Sequence, residues 1–108
     1  MEPIQYIGMK DLEESEVEVL NRLAQEHHTK LQRELHNMTS LVIHIKTSHK
    51  EGKRKQYNIM ARAVAPTRIF ESSETDWDIA RTLHMIFNDL RRQIQHSFHS
   101  DDQHGKTY

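Results

Sequence analysis

The sequence contains no cysteine, three glycines, two prolines and few aromatic residues. The absence of cysteine excludes disulfides, thiolate zinc sites and thiol nucleophiles. The three glycines lie far apart, so the chain lacks a glycine-rich loop that could hold a phosphate. Nucleophile elbows and helical His-Glu metal motifs are missing as well. These absences predict a protein that is not an enzyme and that uses no cofactor.

Long apolar runs are missing too. No stretch approaches the roughly 18–20 apolar residues of a membrane span. The start, Met1-Glu2-Pro3, has neither the basic residues nor the apolar stretch of a signal peptide. We therefore expect a cytoplasmic protein without a membrane partner. A chain of 108 residues, of which 35% are hydrophobic, predicts one domain with a small core.

Charge is present in quantity but is unevenly distributed along the chain. The net charge of −1 is the sum of −5 over residues 1–26, +7 over residues 27–70 and −3 over residues 71–108. The basic centre includes one dense run, formed by Lys50, Lys53, Arg54 and Lys55. Such a run is either a solvated loop or a contact for an anionic partner.

Two segments have the three-and-four spacing of apolar residues that predicts a helix. The first extends from Asp11 to about His36 without proline or glycine. Its apolar stripe is Val17, Leu20, Ala24, His27, Leu31 and Leu35. The second stripe is Ala80, Leu83, Phe87, Leu90, Ile94 and Phe98. Ser73 or Thr75 is the predicted N-cap of this second helix. Residues 1–99 are thus the predicted domain, and residues 100–108 a mobile polar tail.

Four shorter segments, residues 3–8, 40–48, 56–65 and 67–72, predict strands because they are rich in β-branched or aromatic residues or alternate in polarity. A turn around Gly52 joins the second and third strands as a hairpin. The element order is β-α-β-β-β-α, which predicts an α+β two-layer fold with both helices on one face of a four-stranded sheet. The opposite face is expected to carry His44, Lys46, Met60 and Arg62 and to remain open to solvent.

Nine histidines are unusual in a chain of this length. His27 lies on the first apolar stripe, so we expect it to be partly buried and hydrogen-bonded. His84 lies off the second stripe and is available for a polar contact. His96 and His99 are three residues apart and, with His104, could bind a metal ion adventitiously. No physiological metal site is predicted.

Basic residues on the two helices are the remaining candidates for a functional surface. If the helices pack side by side, their outer faces form one surface that could neutralise phosphates at fixed separations. The candidate RNA contacts on these faces are Lys30, Arg33, Arg81, His84, Arg91, Arg92 and His96. The hairpin bases Lys50, Lys53, Arg54 and Lys55 are candidates for a second anchor. Trp77, Phe87 and Phe98 are assigned to core or cap packing, so structured RNA is favoured over stacking of single-stranded bases.

The segment Asp78–Ile94 is similar to the signature helix of the short ribosome hibernation promoting factors. In that family an acidic start leads, through apolar positions, to a leucine and a basic-Gln-apolar ending, which Leu90-Arg-Arg-Gln-Ile94 matches. The family's β-α-β-β-β-α order also covers this chain from about Pro3 to His99. Asp89 departs from the pattern, since the family usually has a lysine there.

The resemblance implies a protein that binds ribosomal RNA of the small ribosomal subunit, in the channel for messenger and transfer RNA, and holds ribosomes idle under stress. It implies no catalysis, no cofactor and no DNA partner. The positions that match the family's basic residues are Lys30, Arg33, Arg92 and His96. The chain resembles the short form, which lacks the dimerisation domain of long members. Two alternatives to a hibernation factor stay open at this point: an RNA-binding module acting elsewhere, and a protein-interaction or regulatory domain that does not bind the ribosome.

Overall fold

The computed structural model describes residues 4–49 and 54–106, with side chains described as far as Ser97. These residues form a sheet of four strands and two long helices. The strands are β1 (Ile4–Ile7), β2 (Ser40–His49), β3 (Lys55–Val64) and β4 (Ile69–Asp76). The helices are α1 (Glu14–Glu34) and α2 (Ile79–Lys106), and a short 3-10 turn at Met9–Asp11 precedes α1. The predicted β-α-β-β-β-α order and the α+β class are confirmed.

The strands lie side by side in the order β1-β2-β3-β4. β1 is parallel to β2, because the crossover through α1 separates them, and the other pairs are antiparallel hairpins. The β2–β3 pairing is continuous from Ser40 opposite Val64 to His49 opposite Lys55. This long hairpin is the centre of the sheet.

Alternation along β2 and β3 assigns one face of the sheet to the core, as predicted. The buried side chains on these two strands are Leu41, Ile43, Ile45, Tyr57, Ile59, Ala61 and Ala63. They pack with the apolar stripes of both helices in one cluster. The opposite face carries His44, Met60 and Arg62, which are half-buried, and Lys46, which is exposed. In the described part of the chain this second face is not covered by a helix.

The start of α1 depends on a glycine. Gly8 has a φ of 90°, a left-handed backbone conformation that side chains rarely adopt. A Cβ atom at this position would collide with the carbonyl oxygen of Ile45. The chain therefore turns tightly at Gly8 and forms the 3-10 turn before α1 begins at Glu14, later than the Asp11 expected from sequence. Glu16 accepts a hydrogen bond from the backbone N–H of Glu13 at 2.7 Å and caps the first turn.

The start of α2 differs from the prediction. β4 continues to Asp76, because it remains paired with β3 as far as Tyr57. Ser73 and Thr75 therefore lie within a strand, and their assignment as N-caps is wrong. Asp78 performs that role, since its Oδ1 accepts a hydrogen bond from the backbone N–H of Arg81 at 3.1 Å.

The end of α2 also differs from the prediction. The apolar spacing ends at Phe98, but the helical backbone continues to Lys106. The polar segment 100–108 was expected to be a mobile tail. It is helical over its described residues, while residues 107–108 lie outside the described part. Its mobility stays a prediction.

The two helices are parallel to one another. Nε2 of His27 lies 3.3 Å from Nδ1 of His84, and seven residues further along each helix Glu34 accepts a hydrogen bond from Arg91, also at 3.3 Å. Because equal steps along both helices reach the next contact, α1 and α2 run in the same direction. Their N-termini therefore lie at one end of the domain.

Candidate nucleic-acid interface

Because the two helices are parallel, residues of like charge lie at the same end of both helices. Acidic residues at or before the two helix starts are Glu13, Glu14, Glu16, Asp76 and Asp78. Further along, past the contact between His27 and His84, bases predominate on the outer faces. Because the positive end of a helix dipole lies at its N-terminus, this distribution also suits both helices electrostatically. The helix layer thus has an acidic end and a basic region.

The basic region contains four residues that we call the basic patch: Lys30 and Arg33 on α1, and Arg92 and His96 on α2. All four are exposed. Between the two helices, Glu34 accepts hydrogen bonds from Arg91 at 3.3 Å and from Gln95 at 3.0 Å. The basic patch lies on either side of this bridge. Within the described residues, none of its four members has an ion-pair partner.

Arg91 differs from its neighbour Arg92 in having a structural partner. Its side chain is 35% exposed and its guanidinium is paired with Glu34, whose side chain is 23% exposed. The pair joins α1 to α2, so the charge of Arg91 is already engaged within the fold. Its assignment as an RNA contact stays a prediction, but the contact with Glu34 favours a structural role.

Arg81 lies at the acidic end of the helix layer. Its Nε is 2.5 Å from Oδ2 of Asp76, and the hydrogen bond from this guanidinium lowers the pKa of Asp76. The Arg81 side chain is 62% exposed, so its remaining donors face solvent. The paired carboxylate nevertheless offsets the positive charge that Arg81 offers to a phosphate.

Lys55, the last residue of the basic run, is held inside the domain. Its Nζ donates to the carboxylate of Glu16 at 2.7 Å and to the backbone carbonyl of Asp11 at 2.9 Å. The hydroxyl of Tyr57 donates to the other oxygen of Glu16. Burial alone would raise the pKa of Glu16, but the bonds from Glu13, Lys55 and Tyr57 lower it. These contacts favour a structural role for Lys55, whose assignment to RNA stays a prediction.

The other hairpin bases are placed differently. Lys50 and Lys53 lie outside the described residues. Arg54 is exposed, and its guanidinium carbon lies 4.1 Å from the centre of the Trp77 ring. Of the two bases of this run that the structure describes, Lys55 is paired with Glu16 and Arg54 lies over Trp77, so these two do not share one exposed surface.

The histidine pair lies at the junction of the helices, beside the basic patch. His27 is 4% exposed and its ring stacks on Phe87, with 4.5 Å between ring centres. Burial, together with the positive charge of the nearby His84 and Lys30, lowers the pKa of His27 to about 4. The prediction that His27 is buried and hydrogen-bonded is confirmed. His84 is exposed and makes the polar contact expected of it.

The predicted adventitious metal ligands fall mostly outside the described side chains, since His99 and His104 belong to that part of α2. Where side chains are described, no group of three histidine, aspartate or glutamate residues could hold a metal ion. Sequence reasoning missed Glu34 as part of the surface between the helices. The equal seven-residue spacings from His27 to Glu34 and from His84 to Arg91 were visible in the sequence, but their pairing requires the direction of the helices.

Comparisons with known proteins do not assign the chain to a family. No protein-family model matches it, and no curated protein matches it. Neither helix, over its described residues, has the length and apolar character needed to cross a membrane.

Proposed function

We propose that this protein is a cytoplasmic hibernation factor that binds ribosomal RNA of the small ribosomal subunit and inhibits translation under stress. It acts by occupying the channel for messenger and transfer RNA, and it performs no catalysis. The observation that carries this proposal is the basic patch. Its four bases are exposed on the two parallel helices that the bridge between Glu34 and Arg91 joins, and none has an ion-pair partner within the described part of the chain.

Bases that are unpaired within the fold are available to phosphates. An arginine or lysine that is already paired within the fold gains less from a phosphate, because binding must first break the existing contact. Lys30, Arg33 and Arg92 carry no such cost in the described structure. Their positions on rigid helices fix the distances between them, which favours recognition of an RNA backbone by shape. The resemblance of the second helix to the hibernation factors supports the ribosome as the particular target.

The test is co-sedimentation of the purified chain with small ribosomal subunits at several salt concentrations. The variant combines Lys30→Gln, Arg33→Gln and Arg92→Gln. The matched control combines Lys10→Gln, Arg22→Gln and Lys46→Gln, which removes the same charge from three exposed positions elsewhere. We expect the patch variant to lose binding at moderate salt. We also expect the slope of log K against log salt concentration to be shallower by about two to three for this variant. We expect the control to bind nearly as well as the natural chain.

A translation assay completes the experiment. The natural chain should inhibit protein synthesis in an extract, and the patch variant should not. Equal ribosome binding by the patch variant and the control would contradict the proposal. Ribosome binding that does not weaken as salt rises would point instead to a protein-interaction domain, since contacts with phosphates release counterions.

A further inference from the structure

Trp77 is the only tryptophan of the chain and is 37% exposed. It lies between the end of β4 at Asp76 and the start of α2 at Ile79. The sequence pattern assigned it to core or cap packing. The structure excludes core packing, because Trp77 is among the exposed large hydrophobic residues and is not part of the buried cluster.

The ring of Trp77 has a specific neighbour. The guanidinium of Arg54, at the entry to β3, lies over it at 4.1 Å from the ring centre. Arg54 is itself exposed and, within the described residues, has no carboxylate partner. A guanidinium is planar, so when it lies over an indole it extends a flat surface on which a further planar group can stack. The cation–π contact also holds the ring in place.

The carboxylates beside this ring are already occupied. Asp76 accepts from Nε of Arg81 at 2.5 Å, and Asp78 accepts from the backbone N–H of Arg81 at 3.1 Å. The ion pair with Arg81 offsets the repulsion that the Asp76 carboxylate would otherwise exert on a phosphate. The exposed donors of Arg81 lie between Trp77 and the basic patch along α2.

We propose that Arg54 and Trp77 form a stacking platform for one unpaired nucleobase. This inference rests on the proposed function and adds a second kind of contact to it. The basic patch binds the phosphates of structured RNA, and the platform binds a base that has left the stack. From the start of α2 to Arg92 the helix rises by about 20 Å. The platform and the basic patch therefore bind separate parts of one single strand, or an unpaired base and the duplex beside it. Recognition should tolerate any base, because every base has an aromatic face.

The test uses the intrinsic fluorescence of the full chain, which reports on this site alone because no other tryptophan is present. The probes are hexa-adenylate RNA and a six-unit abasic ribose-phosphate of equal charge, both end-labelled for anisotropy. We expect hexa-adenylate to quench the tryptophan and to bind about tenfold more tightly than the abasic chain. The abasic chain should bind through its phosphates without quenching.

Variants separate stacking from charge. Trp77→Leu should lower the affinity for hexa-adenylate about tenfold, to that of the abasic chain, while Trp77→Phe should retain part of the difference. Arg54→Lys keeps the charge but loses the planar group, so it should weaken hexa-adenylate binding and leave abasic binding unchanged. Arg92→Gln should weaken both probes equally. Thermal unfolding of each variant establishes that the domain is intact.

The outcomes distinguish the platform from the proposed function. Equal affinity for the two probes, with no quenching, would overturn the platform, and ribosome co-sedimentation that persists would leave the proposed function standing. Base-dependent quenching by a chain that does not sediment with small subunits would support the stacking site and reject the ribosome as the target. If Arg54→Lys and Trp77→Leu bind hexa-adenylate as the natural chain does, the contact between them serves packing alone.

Discussion

His27 and His84 meet between the two parallel helices, with 3.3 Å between Nε2 of His27 and Nδ1 of His84. The two rings are at 77° to one another, and the opposite side of the contact is closed by Phe87, on which His27 stacks. Nδ1 of His27 is buried and has no hydrogen-bond partner among the described residues. Such a site favours the neutral form of His27, because a charged ring would be desolvated beside Lys30 and Arg91.

The stability of the domain should therefore depend on pH through His27. Its pKa falls from an ordinary 6.5 to about 4 in the folded state. Below pH 6.5 the His27 imidazole binds a proton in the unfolded chain but not in the folded chain. The free energy of unfolding therefore falls as the pH decreases towards 4. The slope reaches at most about 1.4 kcal/mol per pH unit. Urea unfolding at pH 7, 6 and 5 measures it.

A substitution isolates the contribution of His27 from those of the other ionisable groups. His27→Phe keeps an aromatic ring against Phe87 but cannot bind a proton, so its stability should change less between pH 7 and pH 5. His36→Gln removes an exposed imidazole just after α1 and should leave the slope of the natural chain intact. Identical slopes for His27→Phe and the natural chain would show that His27 does not carry the dependence.

The contact of Lys55 and Tyr57 with Glu16 should contribute to folding. Glu16→Gln preserves size but removes the charge that accepts from both side chains, leaving a half-buried ammonium without its counterion. We expect a loss of about 1–3 kcal/mol in the free energy of unfolding. Glu14→Gln, at an exposed position in the same first turn, should change it by less than about 0.5 kcal/mol. Similar losses from both variants would contradict a special role for Glu16.

The bridge from Glu34 to Arg91 can be tested by reversing its charges. Glu34→Arg and Arg91→Glu should each destabilise the domain, because each places two like charges between the helices. Combining them restores an opposite pair, so the double variant should recover about 1 kcal/mol or more relative to the sum of the single effects. Chemical unfolding of all four proteins completes the cycle. Strictly additive losses would mean that the two side chains do not interact in solution.

The N-cap of α2 predicts a simple ranking of substitutions. Asp78→Ala removes the acceptor for the backbone N–H of Arg81 and should cost about 1 kcal/mol, whereas Asp78→Ser should retain most of the stability. Ser73→Ala and Thr75→Ala are the controls, since both side chains lie on β4. Their thermal unfolding should change less than that of Asp78→Ala. A larger effect at Ser73 or Thr75 would restore the cap expected from sequence.

The local spacing of apolar residues predicted much of the fold. Alternation in β2 and β3 identified the buried face of the sheet, and the spacing along α1 identified His27 as a buried residue, because side-chain direction follows the period of each element. Pattern failed at the start of α2. Ser73 and Thr75 have the side chains of helix caps, but pairing of β4 with a distant strand decided their conformation, and a local signal contains no information about that pairing.

The candidate surface depended on tertiary structure to a greater extent. The sequence contains a basic central segment between two acidic segments. In the structure, Lys55 of the central segment forms an ion pair with Glu16 of the first acidic segment, and Arg91 of α2 forms one with Glu34 of α1. Which bases remain available to a phosphate is thus decided by contacts between residues far apart in the chain. The sequence by itself determined the order of the strands and helices and which of their faces are buried. The parallel packing of α1 and α2 decided which charges meet, because electrostatic energy depends on distance in space and not on separation along the chain.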